Sequence, residues 1–423
     1  MLSQDDCRIF TEILKNELIE ATGCTEPIAL ALAGANVAKQ LEGLPTKVDV
    51  FTSGNMIKNV KSVTVPNSGG LKGIDVAVLL GIISGNSDDA LQVVSDIDDR
   101  QREILRQELE KKYVKVYLQQ DVPSLYILVK AENEKHSCEV ELQKSHTNIS
   151  RIVKDGVEIF NNHTDSSENY VGPDKSKLSI EKIIEYAETV DIEEVREVIE
   201  RQIIDNVAIS NEGLTNTYGA QVGKTLMETG NDIYTRARAK TAAGSDARMN
   251  GCPMPVVINS GSGNQGMTTS LPVIEFANEL GCSREQLIRA LCISNLISVH
   301  QKKYIGALSA YCGAVSAAAG AAAAICWLKG DGLDVICDTV SNSIVSIGGM
   351  VCDGAKSSCA IKISLALESA FTAMKLAEND RNFNNGEGLV KQNAEETIKA
   401  VGRMAKDGMQ STDIEILNIM LDD

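Results

Sequence analysis

Between Ile305 and Leu328 the chain carries no charged residue, and the heart of this stretch, Gly313 to Ala324, contains only glycine, alanine, one valine and one serine. The run is long enough to cross a bilayer. Alanine and glycine, however, are too weakly apolar to hold a helix in hydrocarbon, and no second span exists to pair with it. The expectation is a helix buried on every side by other helices. Small side chains would let those neighbours approach closely. This stretch commits the C-terminal half to a helical layer built around one central rod.

Composition supports that reading. The chain has 423 residues, of which 43% are hydrophobic and only 4% aromatic. It is long enough for two or three domains. The net charge of -17 argues against nucleic acid and anionic membranes as partners. Met1 to Asp6 is polar and acidic, so no secretory leader is expected there. Eleven cysteines scattered along a largely helical chain do not form a disulfide framework. A reducing cytoplasm fits, and there cysteines point to metal or catalysis.

The periodicity divides the chain. Asp5 to Ile19 and Ile28 to Leu41 read as helices, stopped by Gly43 and Pro45. Val48 to Thr52 alternates like a strand. Further strand-like runs cover Val114–Leu118, Leu125–Lys130, Cys138–Leu142, Ile149–Val153 and Val157–Phe160, the last two joined at a hairpin turn over Lys154, Asp155 and Gly156. Asn161 to Lys177 reads as a linker, and helical patterning resumes from Ser179. The fold class is therefore α+β. A mainly helical domain of residues 1–45 and 166–423 is expected, with a small α/β domain, residues 46–165, inserted into it. Oligomeric state stays open, a homodimer included.

Chemistry concentrates in a few stretches. Gly23, Cys24, Thr25, Glu26 and Pro27 put a cysteine at a helix start, with Thr25 expected to cap the helix. Free N–H groups and the helix dipole there would favour a thiolate. An inert buried cysteine is the plainer reading of the same residues. Three polar, glycine-bearing stretches, Ser210–Asn216, Ala242–Gly251 and Asn259–Gly266, read as loops suited to a small zwitterion or carboxylate. Each alone is equally a set of turns and caps. The G-x-G-x-x-G letters of Gly261 to Gly266 lack the alternating strand–helix pattern that dinucleotide binding requires. Cys312 and Cys352 each lie among glycines, and Cys359 follows seven residues after Cys352. The spacing is wrong for a zinc hairpin. It suits a site assembled by the fold, an iron–sulfur cluster among the possibilities.

The Cys24 motif, the run Leu308 to Gly313 and the run Met350 to Lys356 together resemble the L-cysteine desulfidase family, relatives of the iron–sulfur L-serine dehydratases through their alpha domain. Ser53 to Asn59 and Gly261 to Gly266 are similar to that family as well. The resemblance spans nearly the whole chain. It implies a [4Fe–4S] cluster held by Cys24, Cys312 and Cys352, with Cys359 an improbable fourth ligand. It also implies a pyridoxal-independent lyase that converts L-cysteine to pyruvate, ammonia and hydrogen sulfide, with L-serine dehydration as the alternative. A cluster-free amino-acid-binding protein is the reading from another class.

Under that resemblance one iron is left open as a Lewis acid, and the protein must stabilise the carbanion without a pyridoxal electron sink. The expected substrate-binding residues are Ser53, Gly54, Asn55, Lys58, Gly263, Asn264, Gln265 and Gly266. The candidates for the base are His300, Lys303, Tyr304 and Lys356, although a lone histidine is more often structural. His136, His146 and His163 read as solvated residues of the strand domain.

Overall fold

The computed structural model describes residues 2–162, 172–306 and 308–422, so His163 lies outside the described residues. Two hydrophobic cores organise the chain.

The first core surrounds the helix Gly313–Lys329. Every residue from Ala314 to Cys326 is buried. The helices Gly263–Leu280, Arg284–Ile305, Leu333–Ser346 and Cys359–Glu378 pack around it, as the charge-free alanine run requires. Helix Gln4–Glu17 joins this core through Phe10, Ile13 and Leu14. Among the described residues, no helix is long and apolar enough to cross a membrane.

The second core lies under a six-stranded sheet. Its spatial order is Val114–Leu118, Lys47–Thr52, Tyr126–Glu132, Ser137–Gln143, Ile149–Lys154 and Val157–Asn161. The first two strands are parallel and every other neighbouring pair is antiparallel. The last two form the expected hairpin. Asp155 and Gly156 both take positive φ, 51° and 78°, which matches the turn to the sheet twist.

Two helices, Thr25–Leu41 and Ile74–Ser84, complete this layer. They cross so closely that a methyl on Gly81 would overlap the Ala31 carbonyl. Thr25–Leu41 also packs on the strands Tyr126–Glu132 and Ser137–Gln143. The layer thus recruits residues from before position 45, where the sequence placed the edge of the helical domain.

Two of the three polar stretches read as loops are helical. Ser210 to Thr215 ends the helix Glu193–Thr215, and Ala242 to Met249 ends the helix Ile233–Met249. The glycine at 213 serves contact rather than looping, because a side chain there would overlap the Ala243 carbonyl of the second helix. Only Asn259 to Ser262 is a true loop, and the helix Gly263–Leu280 begins directly behind it.

A short antiparallel pairing closes the fold. Strand Glu20–Thr22, which periodicity did not reveal, pairs with Pro255–Val257. It brings the turn before Cys24 alongside the loop after Ile258.

Candidate functional site

Cys24 is itself the N-cap residue of helix Thr25–Leu41, and Thr25 is the first residue inside. The Thr25 hydroxyl does not cap. It donates to the Gly261 carbonyl across 2.8 Å and so pins the helix start to the opposite loop. Cys312 holds the same position on Gly313–Lys329. Neither cysteine side chain makes a capping hydrogen bond to its own helix. Cys352 lies beside Cys312 because their backbones form a bridge: Cys312 N–H donates to Met350 O at 3.0 Å and Cys352 N–H to Ala310 O at 2.6 Å.

All three cysteines line one cavity of about 470 Å³ between the two cores, and Cys359 lines it too. Apolar surface makes up most of the cavity lining, but several polar atoms on it are unsatisfied. Asn55 Oδ1, Asn59 Oδ1, Asn264 Oδ1, Gln265 Oε1, Tyr311 Oη and His146 Nε2 are shielded from solvent and have no hydrogen-bond partner among the described residues. Buried polar groups in proteins are normally paired, so six on one cavity mark a place that a ligand completes.

Charge is arranged around this void. Arg248 is buried, and its Nε donates to the Gly23 carbonyl at 3.0 Å. No carboxylate pairs with its guanidinium among the ion pairs of the described residues. Glu26 accepts from the Cys24 thiol at 3.0 Å and the Asn59 amide at 3.0 Å, and the Thr25 hydroxyl oxygen lies 3.1 Å from it. Burial opposes ionisation of Glu26, but His146, these hydrogen bonds and Arg248 together hold its carboxyl below the usual range.

The thiols do not follow the helix-start expectation. Burial, reinforced by Glu26, pushes the Cys24 thiol well up, against the pull of Arg248. Burial and then Cys352 push Cys312 up to about 12. Desolvation outweighs the helix dipole here. Lys302 lines the same cavity, and burial lowers its ammonium pKa while Cys352 and Cys312 oppose the shift. Among the described residues, no three His, Cys, Asp or Glu side chains converge as a single metal ion would need.

The family model for the serine dehydratase alpha chain matches residues 88–418, well over half the chain. The chain belongs to the serine dehydratase alpha chain family. It is also 46% identical over 418 residues to a UPF0597 protein of Finegoldia magna, covering 98% of this chain and 99% of that one. A UPF0597 protein of Lachnoclostridium phytofermentans is 48% identical over 411 residues, covering 97% and 98%. One from Fusobacterium nucleatum is 45% identical over 416 residues, covering 97% of each.

The serine dehydratase match takes in Cys312, Cys352, Asn264 and Gln265, whereas Cys24, Asn55 and Lys58 precede it. Eight of the residues expected from the sequence do meet at the cavity: Cys24, Asn55, Lys58, Asn264, Gln265, Lys303, Cys312 and Cys352. The others are structural neighbours. Ser53 caps the helix Gly54–Val60 and donates to Ser124 O at 2.6 Å. Gly54 lies under Leu417, Gly263 against Arg248, and Gly266 against the Val257 carbonyl.

Three of the four candidate bases lie off the cavity wall. His300 is fully buried and its Nε2 sits 2.7 Å from Glu395. Tyr304 packs edge-on against the His300 ring. Lys356 donates to the Lys58 carbonyl at 3.2 Å. Lys303 lines the cavity, but its Nζ is engaged by the carbonyls of Lys175 and Leu178 at 3.1 and 3.0 Å. Burial lowers it to about 8.

Three lining residues were missed or misread. Arg248 sits in a stretch taken for a loop, where nothing in the sequence shows a cation lacking a partner. Lys302 is one of two adjacent lysines that both line the cavity, and nothing in the sequence shows that it is the more deeply buried of the pair. His146, expected in solvent, lies instead on the cavity wall in a loop between two strands.

Proposed function

We propose that this chain is a pyridoxal-independent lyase that removes the β-substituent of a small amino acid, acting as an L-cysteine desulfidase. The observation that carries the reading is the convergence of Cys24, Cys312 and Cys352 on one cavity whose wall carries unpaired polar atoms.

The donor set fits a [4Fe–4S] cluster. Two thiols on neighbouring backbone, Cys312 and Cys352, and a third at the start of a separate helix, Cys24, line one cavity, the kind of three-cysteine donor set that such a cluster uses. Cys24, Cys312 and Cys352 would hold it. When bound it supplies a Lewis-acidic iron for the substrate's side-chain sulfur. Cys24 and Cys312 each stand at a helix N-terminus, whose free N–H groups would tune such a centre.

The remaining work falls to the chain. Arg248 offers a buried guanidinium for the substrate carboxylate, the geometry that arginine provides best. Asn264 and Gln265 on one wall and Asn55 on another supply amides for the carboxylate and amine. Held in that way, the carboxylate can accept charge as the α-proton leaves. Aminoacrylate is then released and tautomerises and hydrolyses to pyruvate and ammonia.

The family description favours L-serine as a second substrate reading, with hydroxide in place of sulfide as leaving group. Anaerobic assays with each amino acid decide between them. Sulfide and pyruvate in equal amounts from L-cysteine, at a kcat/KM well above that for L-serine, support the desulfidase. Equal or better turnover of L-serine overturns it. Anaerobic protein with no iron and no turnover of either amino acid overturns the lyase reading altogether and leaves an amino-acid-binding protein.

A further inference from the structure

The lyase reading needs a group that takes the α-proton, and the residues first suspected are off the wall or engaged. His146 lines the same cavity and carries a ring nitrogen with no partner among the described residues. It stands in the short loop between strands Ser137–Gln143 and Ile149–Lys154, so it belongs to the sheet layer and not to the helices that carry Cys312 and Cys352. Lys144, Ser145, His146 and Thr147 all line the cysteine cavity. The imidazole packs over Gly261, close enough that a Cβ there would come to 3.0 Å from its Cε1. Gly261 has a φ of 78°, a conformation that glycine adopts freely. The loop opposite therefore leaves room for this ring.

Nε2 of His146 is shielded from solvent and has no partner among the described residues. An unpaired buried imidazole nitrogen is costly and is retained where a ligand completes it. The groups facing it are Glu26, from helix Thr25–Leu41, and Arg248, from helix Ile233–Met249. Arg248, the proposed carboxylate anchor, and His146 thus line the same cavity and lie close enough to influence one another electrostatically.

We infer that His146 is a catalytic residue of this site, with Nε2 accepting the α-proton of the bound amino acid. The inference rests on the lyase reading given above. In the step, the Cα–H bond breaks and its proton passes to Nε2. The electron pair left on Cα forms the Cα=Cβ bond, and the Cβ–S bond breaks with its pair leaving on sulfur. The products are 2-aminoacrylate, sulfide and a protonated His146, which then returns its proton to the departing sulfur or to water. Burial, the larger influence, together with Arg248 lowers the imidazole pKa against the pull of Glu26, which favours the accepting form of the ring.

The test compares wild type, His146→Gln and His146→Asn as anaerobic holoprotein, all checked for melting temperature and iron content. The readouts are kcat and KM for L-cysteine, the kinetic isotope effect with L-cysteine deuterated at Cα, and solvent-deuterium exchange into recovered L-cysteine. Both variants are expected to keep wild-type iron and a KM within about threefold, while kcat falls by roughly 10²–10⁴ and exchange disappears. Gly261→Ala, which crowds the ring, is expected to lower kcat with iron retained. Either histidine variant turning over within threefold of wild type, with exchange intact, overturns the inference and leaves the lyase reading standing. Loss of iron in both variants overturns it too, by assigning the ring to holding the site. A wild type that yields no pyruvate from L-cysteine or L-serine fails the lyase reading, and the inference with it.

Discussion

The ammonium of Lys58 donates to the main-chain carbonyl of Cys352 across 3.2 Å, linking positions 294 residues apart. The same nitrogen pairs with Asp413 on the C-terminal helix Gln410–Leu421. One buried cation thus joins the sheet layer, the turn carrying Cys352 and the end of the chain. Lys58→Met should cost about 2–3 kcal/mol, near the lower end for stranding one member of a buried pair, because Asp413 keeps some contact with water. Urea denaturation measures it. An unchanged midpoint would mean that the tie carries no stability.

The cysteines should separate into two groups. Cys24→Ala, Cys312→Ala and Cys352→Ala should each lose most of the iron from anaerobically purified protein, together with lyase activity. Cys292 and Cys326 are fully buried in the helical core and away from the cavity. Replacing either by alanine should retain iron and cost about 1 kcal/mol of stability, the scale of a small cavity. Iron and sulfide analysis beside thermal melts makes the comparison.

Arg248 should govern recognition of the carboxylate. Arg248→Gln is expected to lower kcat/KM for L-cysteine by roughly 10²–10³, in keeping with loss of a buried charge-assisted pair. It should also erase the preference for L-cysteine over L-cysteinamide. If the variant still discriminates between acid and amide, the carboxylate is held elsewhere.

The crossing of helices Thr25–Leu41 and Ile74–Ser84 depends on the absence of a side chain at 81. Gly81→Ala would drive a methyl into the Ala31 carbonyl. The expected loss is about 2–3 kcal/mol, typical of overpacking where backbone must shift. Calorimetry of the variant tests it, and a melting temperature equal to wild type contradicts the close approach.

Asp246 gives a pH signature. Its Oδ2 accepts from Gly223 N–H at 2.9 Å, yet burial raises its carboxyl to about 6. A raised carboxyl means that the folded state binds its proton more readily than the unfolded chain. The penalty is therefore complete above pH 6, fades as pH falls toward the unfolded value and is absent below it. Asp246→Asn should be more stable than wild type by about 1–2 kcal/mol at pH 7.5, a figure reduced for partial screening. The gap should close by about pH 4. Denaturation of both proteins across that range reads it, and a gap that is constant with pH excludes this origin.

How far the sequence carried the reading depended on whether the signal was local. The alanine run announced a central helix because nothing else can surround so many small apolar residues. Alternation located all six strands of the sheet, since period two is written into each strand separately. The cysteines at 24, 312 and 352 stood out through their glycine-rich surroundings. Helix Thr25–Leu41 was harder. Its composition matches the helical half, but its partners are the helix Ile74–Ser84 and two strands of the sheet layer, and the choice is made by packing across distant segments. The stretches at 210–216 and 242–251 misled because glycine between packed helices and glycine in a loop look alike in one dimension. Arg248 and His146 were invisible for a related reason. An absent partner or an inward-facing loop is a property of three-dimensional neighbours.

The tie between Lys58 and Cys352 also has a temporal side. At translation speeds of about 5–20 residues per second, the 294 residues between them take roughly 15–60 s to emerge. Through that interval the wall bearing Cys24 and Lys58 exists without its counterpart. Helices and the sheet can form on the nascent chain from local contacts, but the cavity cannot. Its assembly, and the arrival of anything it is built to hold, belongs to the finished polypeptide.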